Sequence, residues 1–102
     1  MGMSKKDRAY LSRVAELGCV VCRNQGYGAT PAEIHHIRSG QGVAMRASHT
    51  DVIPLCPIHH RYGAKSTEHG EQFGYHQSPA QFEDAYGTEL ELLEQVKGEL
   101  GV

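Results

Sequence analysis

The chain concentrates its metal-binding residue types in three short groups, Cys19-Val-Val-Cys22, His35-His36 and Cys56-Pro-Ile-His59-His60. A CxxC paired with a CxxH supplies four ligands of the kind that closes a tetrahedral structural zinc site. Cys19, Cys22, Cys56 and His59 are therefore the expected set for a structural Zn²⁺. The alternative for the second pair is a buried thiol at Cys56 and a surface imidazole at His59. His35, His36 and His60 remain over, and a closed structural site has no work for them. One zinc that holds the fold and one catalytic metal beside it account for all seven.

Adjacent side chains on a strand point to opposite faces. At a strand end, one histidine of His35-His36 can face a metal while its neighbour faces a substrate. This division suits phosphodiester hydrolysis: a cation polarises the phosphoryl oxygen and steadies the leaving group, while a free imidazole takes a proton from water. Imidazole is suited to that role because it titrates near neutral pH. His60 adjoins the CxxH and is expected to supply a second ligand, with His76, His69 or a carboxylate as the third. For His49 and His69 a plain surface position is the favoured alternative.

The 102-residue chain, 39% hydrophobic and without Trp, has limited capacity to bury a core, so a metal staple is physically useful. Three cysteines argue for ligation over a disulfide framework. A redox CxxC would call for a βαβ pattern that is missing. No apolar run approaches the length of a membrane span, so the expectation is a cytoplasmic protein with no membrane partner. The net charge of −2 divides unevenly: residues 1–65 carry nine Lys/Arg against four acids, and residues 66–102 carry Lys97 alone against eight. The basic half holds the cysteines and most of the histidines, so a polyanion could dock there. The alternative is two ordinary solvated faces.

The elements that must position these groups are short. Ser4 with Asp7 predicts a helix start, Tyr10, Leu11, Val14 and Leu17 its apolar stripe, and Gly18 its end. Residues 32–37 and 51–55 read as two strands, Pro54 confining the second to an edge or a strand end. Between them, residues 38–50, with Gly40 and Gly42, read as a basic loop. A short helix is expected from Pro57. Ser78-Pro79 with Gln81, and Thr88 with Glu91, read as two capping boxes, and Leu90, Leu93, Val96 and Leu100 as the last helix's packing face.

The pattern His35-His36-Ile37, Asp51, Val52-Ile53-Pro54-Leu55-Cys56 and His59-His60 resembles the HNH, or ββα-metal, endonuclease motif. With the CxxC and the stretch through Tyr86-Gly87, the wider resemblance is to small phage and prophage HNH proteins, including the recombination-enhancing, RecA-dependent nuclease type. The resemblance implies an α+β fold: a zinc-stapled ββα-metal core over residues 19–76, an N-terminal helix over 1–18 and C-terminal helices over 77–102, all in one domain. It further implies His36 as general base, His35 and His60 as ligands of the catalytic metal, and His76 as a further active-site histidine. Asp51 takes the place of the motif's middle Asn, which braces the loop through side-chain hydrogen bonds; an Asp carboxylate can still accept them. His59 stands where many zinc-bearing members have a fourth Cys, and the acidic total is unusual for a tight DNA binder.

The expected function is hydrolysis of DNA, leaving 5′-phosphate and 3′-hydroxyl ends, with a catalytic Mg²⁺, Mn²⁺, Ni²⁺ or Zn²⁺. Arg38, Arg46 and Arg61 are the expected phosphate contacts, which position a substrate without reading its sequence. The expected partners are DNA and a recombinase or other phage or host DNA-processing protein, with the chain a monomer or homodimer. The competing readings are a non-catalytic zinc module that binds DNA or a recombination protein, and a zinc-ribbon interaction protein with no nucleic-acid partner. Both leave His35, His36 and His60 unused.

Overall fold

The computed structural model describes residues 3–38 and 50–102. Arg46, His49 and the glycines of the expected basic loop lie outside the described residues. Helix α1, Lys5–Leu17, begins where Ser4 Oγ accepts the Asp7 N–H at 3.0 Å. Val14 of its expected stripe is buried; Tyr10, Leu11 and Leu17 pack half-buried around it. The helix ends at Gly18, whose φ of 79° suits glycine and where an added Cβ would lie 2.6 Å from the Ala29 backbone. The chain thereby enters Cys19 and the five-residue helix α2, Val20–Asn24, without an intervening loop.

Strands β1, Glu33–His36, and β2, Val52–Leu55, form a two-stranded antiparallel sheet that pairs His35 with Ile53 and His36 with Val52. Pro54, opposite Ile34, is tolerated because each strand of such a sheet has an unpaired edge. All four residues of β2 are buried, as its unbroken apolar run requires. Helices α1 and α2 pack against this strand.

The short helix expected from Pro57 is a π-type turn over Ile58–Tyr62. Residues after it fold back: Ala64 bridges Gln72, the Tyr75 N–H donates to the His59 carbonyl at 2.8 Å, and the His76 N–H donates to that of His60 at 3.0 Å. Gly74 makes this close approach possible, since a Cβ there would sit 2.6 Å from the Arg61 carbonyl carbon.

Helix α3, Pro79–Tyr86, starts at the expected Ser78-Pro79, but its capping box does not form. The Ser78 hydroxyl donates to Gln81 Oε1 at 2.6 Å, so the two side chains satisfy each other and leave the backbone N–H groups uncapped by either. Helix α4, Glu89–Leu100, has the complete box between Thr88 and Glu91. It packs against β2 and α1. Its buried face differs from the expected one. Leu92, Leu93 and Val96 are inside while Leu90 is 48% exposed, because Glu89 takes the first position of the buried stripe.

Candidate metal centres

The fold brings Cys19, Cys22, Cys56 and His59 together, all four buried. His59 Nδ1 lies 3.6, 3.5 and 3.3 Å from the sulfurs of Cys19, Cys22 and Cys56, and the Cys22 and Cys56 sulfurs are 3.8 Å apart. A tetrahedron with zinc's bond lengths has S···S and S···N edges of about 3.8 and 3.6 Å, so this donor set could hold a structural metal of that habit. Gln72 directs the imidazole. Its amide nitrogen donates to the His69 and Gly70 carbonyls at 3.4 Å, so its Oε1 is the atom that accepts from His59 Nε2 at 2.7 Å. The lone pair on Nδ1 is left facing the sulfurs. The Tyr86 hydroxyl donates to the same Oε1 at 2.9 Å and accepts the Phe73 N–H.

The three thiols are not equivalent. A hydrogen bond from Cys19, reinforced by His59, pulls the Cys56 thiol far down. The same contact, with burial, pushes Cys19 up, and burial pushes up Cys22. A divalent cation removes this competition by stabilising all three thiolates.

A second cluster stands beside the first. Ligand atoms of His35, His60 and His76 lie within 4.8 Å of one another. Each comes from a different segment: β1, the π-turn, and the loop laid along it. Ring centroids are 5.1 Å apart for His35–His60, 5.2 Å for His35–His76 and 4.9 Å for His60–His76. His35 is buried, His60 half-buried and His76 exposed, so the cluster opens to solvent at one side. Of the three candidates for a third member, His76 is the one brought here; His69 packs edge-on to Tyr27 with centroids 4.2 Å apart.

Two carboxylates hold this cluster. Glu33, on the His35 face of β1 by strand alternation, lies with Oε1 2.8 Å from His60 Nδ1 and also pairs with the Arg61 guanidinium. Arg61, then His60, keep its carboxyl below the usual range. Glu89, with 0% exposure, places Oε2 2.5 Å from His35 Nε2. Burial lowers the His35 imidazole against the opposing pull of Glu89, and burial, then His60, lowers His76. Both shifts favour the neutral rings a metal requires.

Sequence reasoning missed Glu33, Glu89 and Gln72, because carboxylates and amides read as solvent-facing, and Tyr86 enters there only through the family resemblance. Parity with His35 on one strand was the available signal for Glu33, and a place at the head of an apolar stripe was the signal for Glu89. His36 is exposed on the strand face opposite His35, and Arg38 is exposed two residues on. Arg61, expected on phosphates, has its guanidinium engaged by Glu33. Asp51, expected to brace the loop, pairs its side chain with Lys97 Nζ at 3.0 Å.

The class these features define is a small α+β fold whose buried Cys₃His cluster could hold a structural metal, with a three-histidine cluster at its side. Residues 4–100 match the family model described as "Recombination enhancement, RecA-dependent nuclease", and the chain belongs to this family. No curated protein matches the chain. Among the described residues no helix is long and apolar enough to cross a membrane.

Proposed function

We propose that the protein is a metal-dependent endonuclease of the HNH, ββα-metal type that hydrolyses DNA in RecA-dependent recombination. One observation carries this reading: three histidines from separate segments converge beside a strand-end histidine that remains exposed. The strand order, with the last histidine on the short helical turn after β2, supports it.

Cys19, Cys22, Cys56 and His59 hold a structural Zn²⁺. His35, His60 and His76 hold a divalent cation, Mg²⁺, Mn²⁺, Ni²⁺ or Zn²⁺, which supplies electrostatic stabilisation to the phosphoryl group and the departing oxygen. His36, free on the opposite face of β1, takes the proton from the attacking water. The phosphorus–3′-oxygen bond breaks as the new phosphorus–oxygen bond forms, and the departing oxygen takes a proton from solvent water, which leaves a 5′-phosphate and a 3′-hydroxyl. Exposed Arg38 steers the backbone, and Arg46, outside the described residues, is the second proposed phosphate contact. Asp51 braces the hairpin from its β2 end. Arg61 acts first on Glu33 and only secondarily on phosphate. The partners on this reading are DNA and a RecA-class recombinase in the cytoplasm of a bacterial host, in phage or prophage DNA processing.

The test is cleavage of supercoiled plasmid with Mg²⁺, Mn²⁺, Ni²⁺ or EDTA, comparing wild type with folded, zinc-loaded His36→Ala. The expected outcome is metal-dependent nicking that falls by about 10²–10⁴-fold in the variant, the usual worth of a general base. Equal nicking by both proteins would remove His36 from the role.

A further inference from the structure

Glu89 is a carboxylate with 0% exposure at the first position of α4, inside a stripe otherwise made of Leu92, Leu93 and Val96. An ionised carboxylate in such a place is costly unless its oxygens are taken up by donors. The partners are unusual in kind. Oε2 stands 2.5 Å from His35 Nε2, and the backbone N–H of Arg38 donates to Oε1 at 3.0 Å and Oε2 at 3.1 Å. One carboxylate from the C-terminal helix thus grips the chain on both sides of His36, through the His35 ring before it and the Arg38 N–H two residues after it.

The contact also decides which nitrogen His35 has to offer. A carboxylate accepts hydrogen bonds, so the atom facing it is Nε2–H, and the lone pair of the neutral ring falls on Nδ1. Glu89 is not a member of the three-histidine group whose ligand atoms lie within 4.8 Å of one another. It meets the group through His35 Nε2. His60 is held the opposite way round, by Glu33 at Nδ1, which leaves its Nε2 for the cluster.

We infer that Glu89 is a positioning residue of the nuclease site: it locks His35 in the Nε2–H form, so that His35 offers Nδ1 and His60 offers Nε2 to one metal ion. The inference rests on the metal-site reading above and adds a residue, a tautomer and a mixed ligation pattern to it. It makes the acidic C-terminal helix part of the active site. Outer-shell carboxylates of this kind fix ring orientation and raise ligand basicity, and their loss costs about 10–100-fold in metal affinity.

The experiment uses the full chain, labelled with ¹⁵N-histidine and carrying one equivalent of zinc. Long-range proton–nitrogen correlation at pH 8 reads the tautomer of each ring, and a second equivalent of Zn²⁺ is then titrated by the same method and by calorimetry. The expected result for wild type is an Nε2–H signature at His35, with its Nδ1 resonance, and Nε2 of His60, moving on the second addition. Glu89→Ala should bind the second Zn²⁺ about 10–100-fold more weakly. Glu89→Gln keeps one acceptor oxygen and the side-chain volume, so it should retain the Nε2–H form and recover part of the affinity; it also serves if the alanine variant fails to fold. An Nδ1–H signature at His35, a Zn²⁺ shift on its Nε2, or wild-type affinity in both variants would overturn the inference. Should wild type take up no second Zn²⁺, the metal reading falls, while the His35 tautomer still decides the role of Glu89.

Discussion

At the scale of single residues, each cluster is held by groups that stand outside it. His59 reaches the sulfurs with Nδ1 because Gln72 Oε1 occupies its other nitrogen at 2.7 Å. Gln72→Ala should therefore weaken the structural metal about 10–100-fold while leaving all four ligands in place. Competition with a chromogenic chelator measures this directly, and an unchanged affinity would mean that packing alone orients the ring. The clusters were legible from the sequence because cysteine and histidine at CxxC and CxxH spacing mark out a candidate metal set, and the fold brings them together. Their supports were not. Nothing in a lone Glu or Gln says that it is 0% or 3% exposed, as Glu89 and Gln72 are. Burial of a polar side chain is set by what the rest of the fold puts around it.

At the scale of elements, two helix caps follow their local signals, a third is lost to a competing local contact, and one packing face is turned by a distant residue. Ser4 caps α1, and Thr88 with Glu91 caps α4, as their spacing predicts. The Ser78 box fails because Gln81 offers its carbonyl to the hydroxyl in place of the backbone. The packing face of α4 turns away from Leu90 because His35, 54 residues earlier in the chain, draws Glu89 inward. The return segment before α3 carries a sharper test. A methyl at Gly74 would collide with the Arg61 carbonyl carbon at 2.6 Å, so the strip bearing Tyr75 and His76 must lift from the π-turn. Gly74→Ala should cost about 1–3 kcal/mol by overpacking. Nicking should fall further than stability accounts for, because His76 moves with the strip. A thermal melt and a plasmid assay on the same preparation check this; a variant with wild-type melting and wild-type nicking would show that the strip adapts.

At the scale of the whole molecule, the charge asymmetry read from the sequence is partly consumed inside the fold. Arg23 holds Glu99 through two bonds of 2.9 Å, Lys97 reaches Asp51, and Arg61 holds Glu33. The Arg23–Glu99 and Asp51–Lys97 pairs pin the two halves to each other, while Arg61–Glu33 closes within the basic half; with Arg23 and Arg61 engaged, the basic face is smaller than a count of Lys and Arg suggests. These pairs set an acid limit. Arg23 keeps the Glu99 carboxyl below its ordinary 4.5, and Arg61, then His60, does the same for Glu33. A depressed carboxyl stabilises the fold above the unfolded value and loses that contribution as pH falls through the folded one. Stability should therefore drop as pH is lowered below about 4.5. Glu99→Gln should show a shallower drop in melting temperature between pH 5 and 3; a slope equal to wild type would mean that the pair is screened by solvent.

The adjacency of His59 and His60 has a consequence for how this chain tolerates changes of length. The two imidazoles belong to different clusters yet share one peptide bond on the π-turn. Inserting or deleting a single residue between Cys56 and His60 would swing both rings at once and abolish the two sites together. No repair confined to one site could restore the other. By contrast, the turn around Thr67–Gly70 carries no member of either cluster, but its His69 and Gly70 carbonyls hold Gln72 and through it His59, so a length change there is expected to weaken the cysteine site alone.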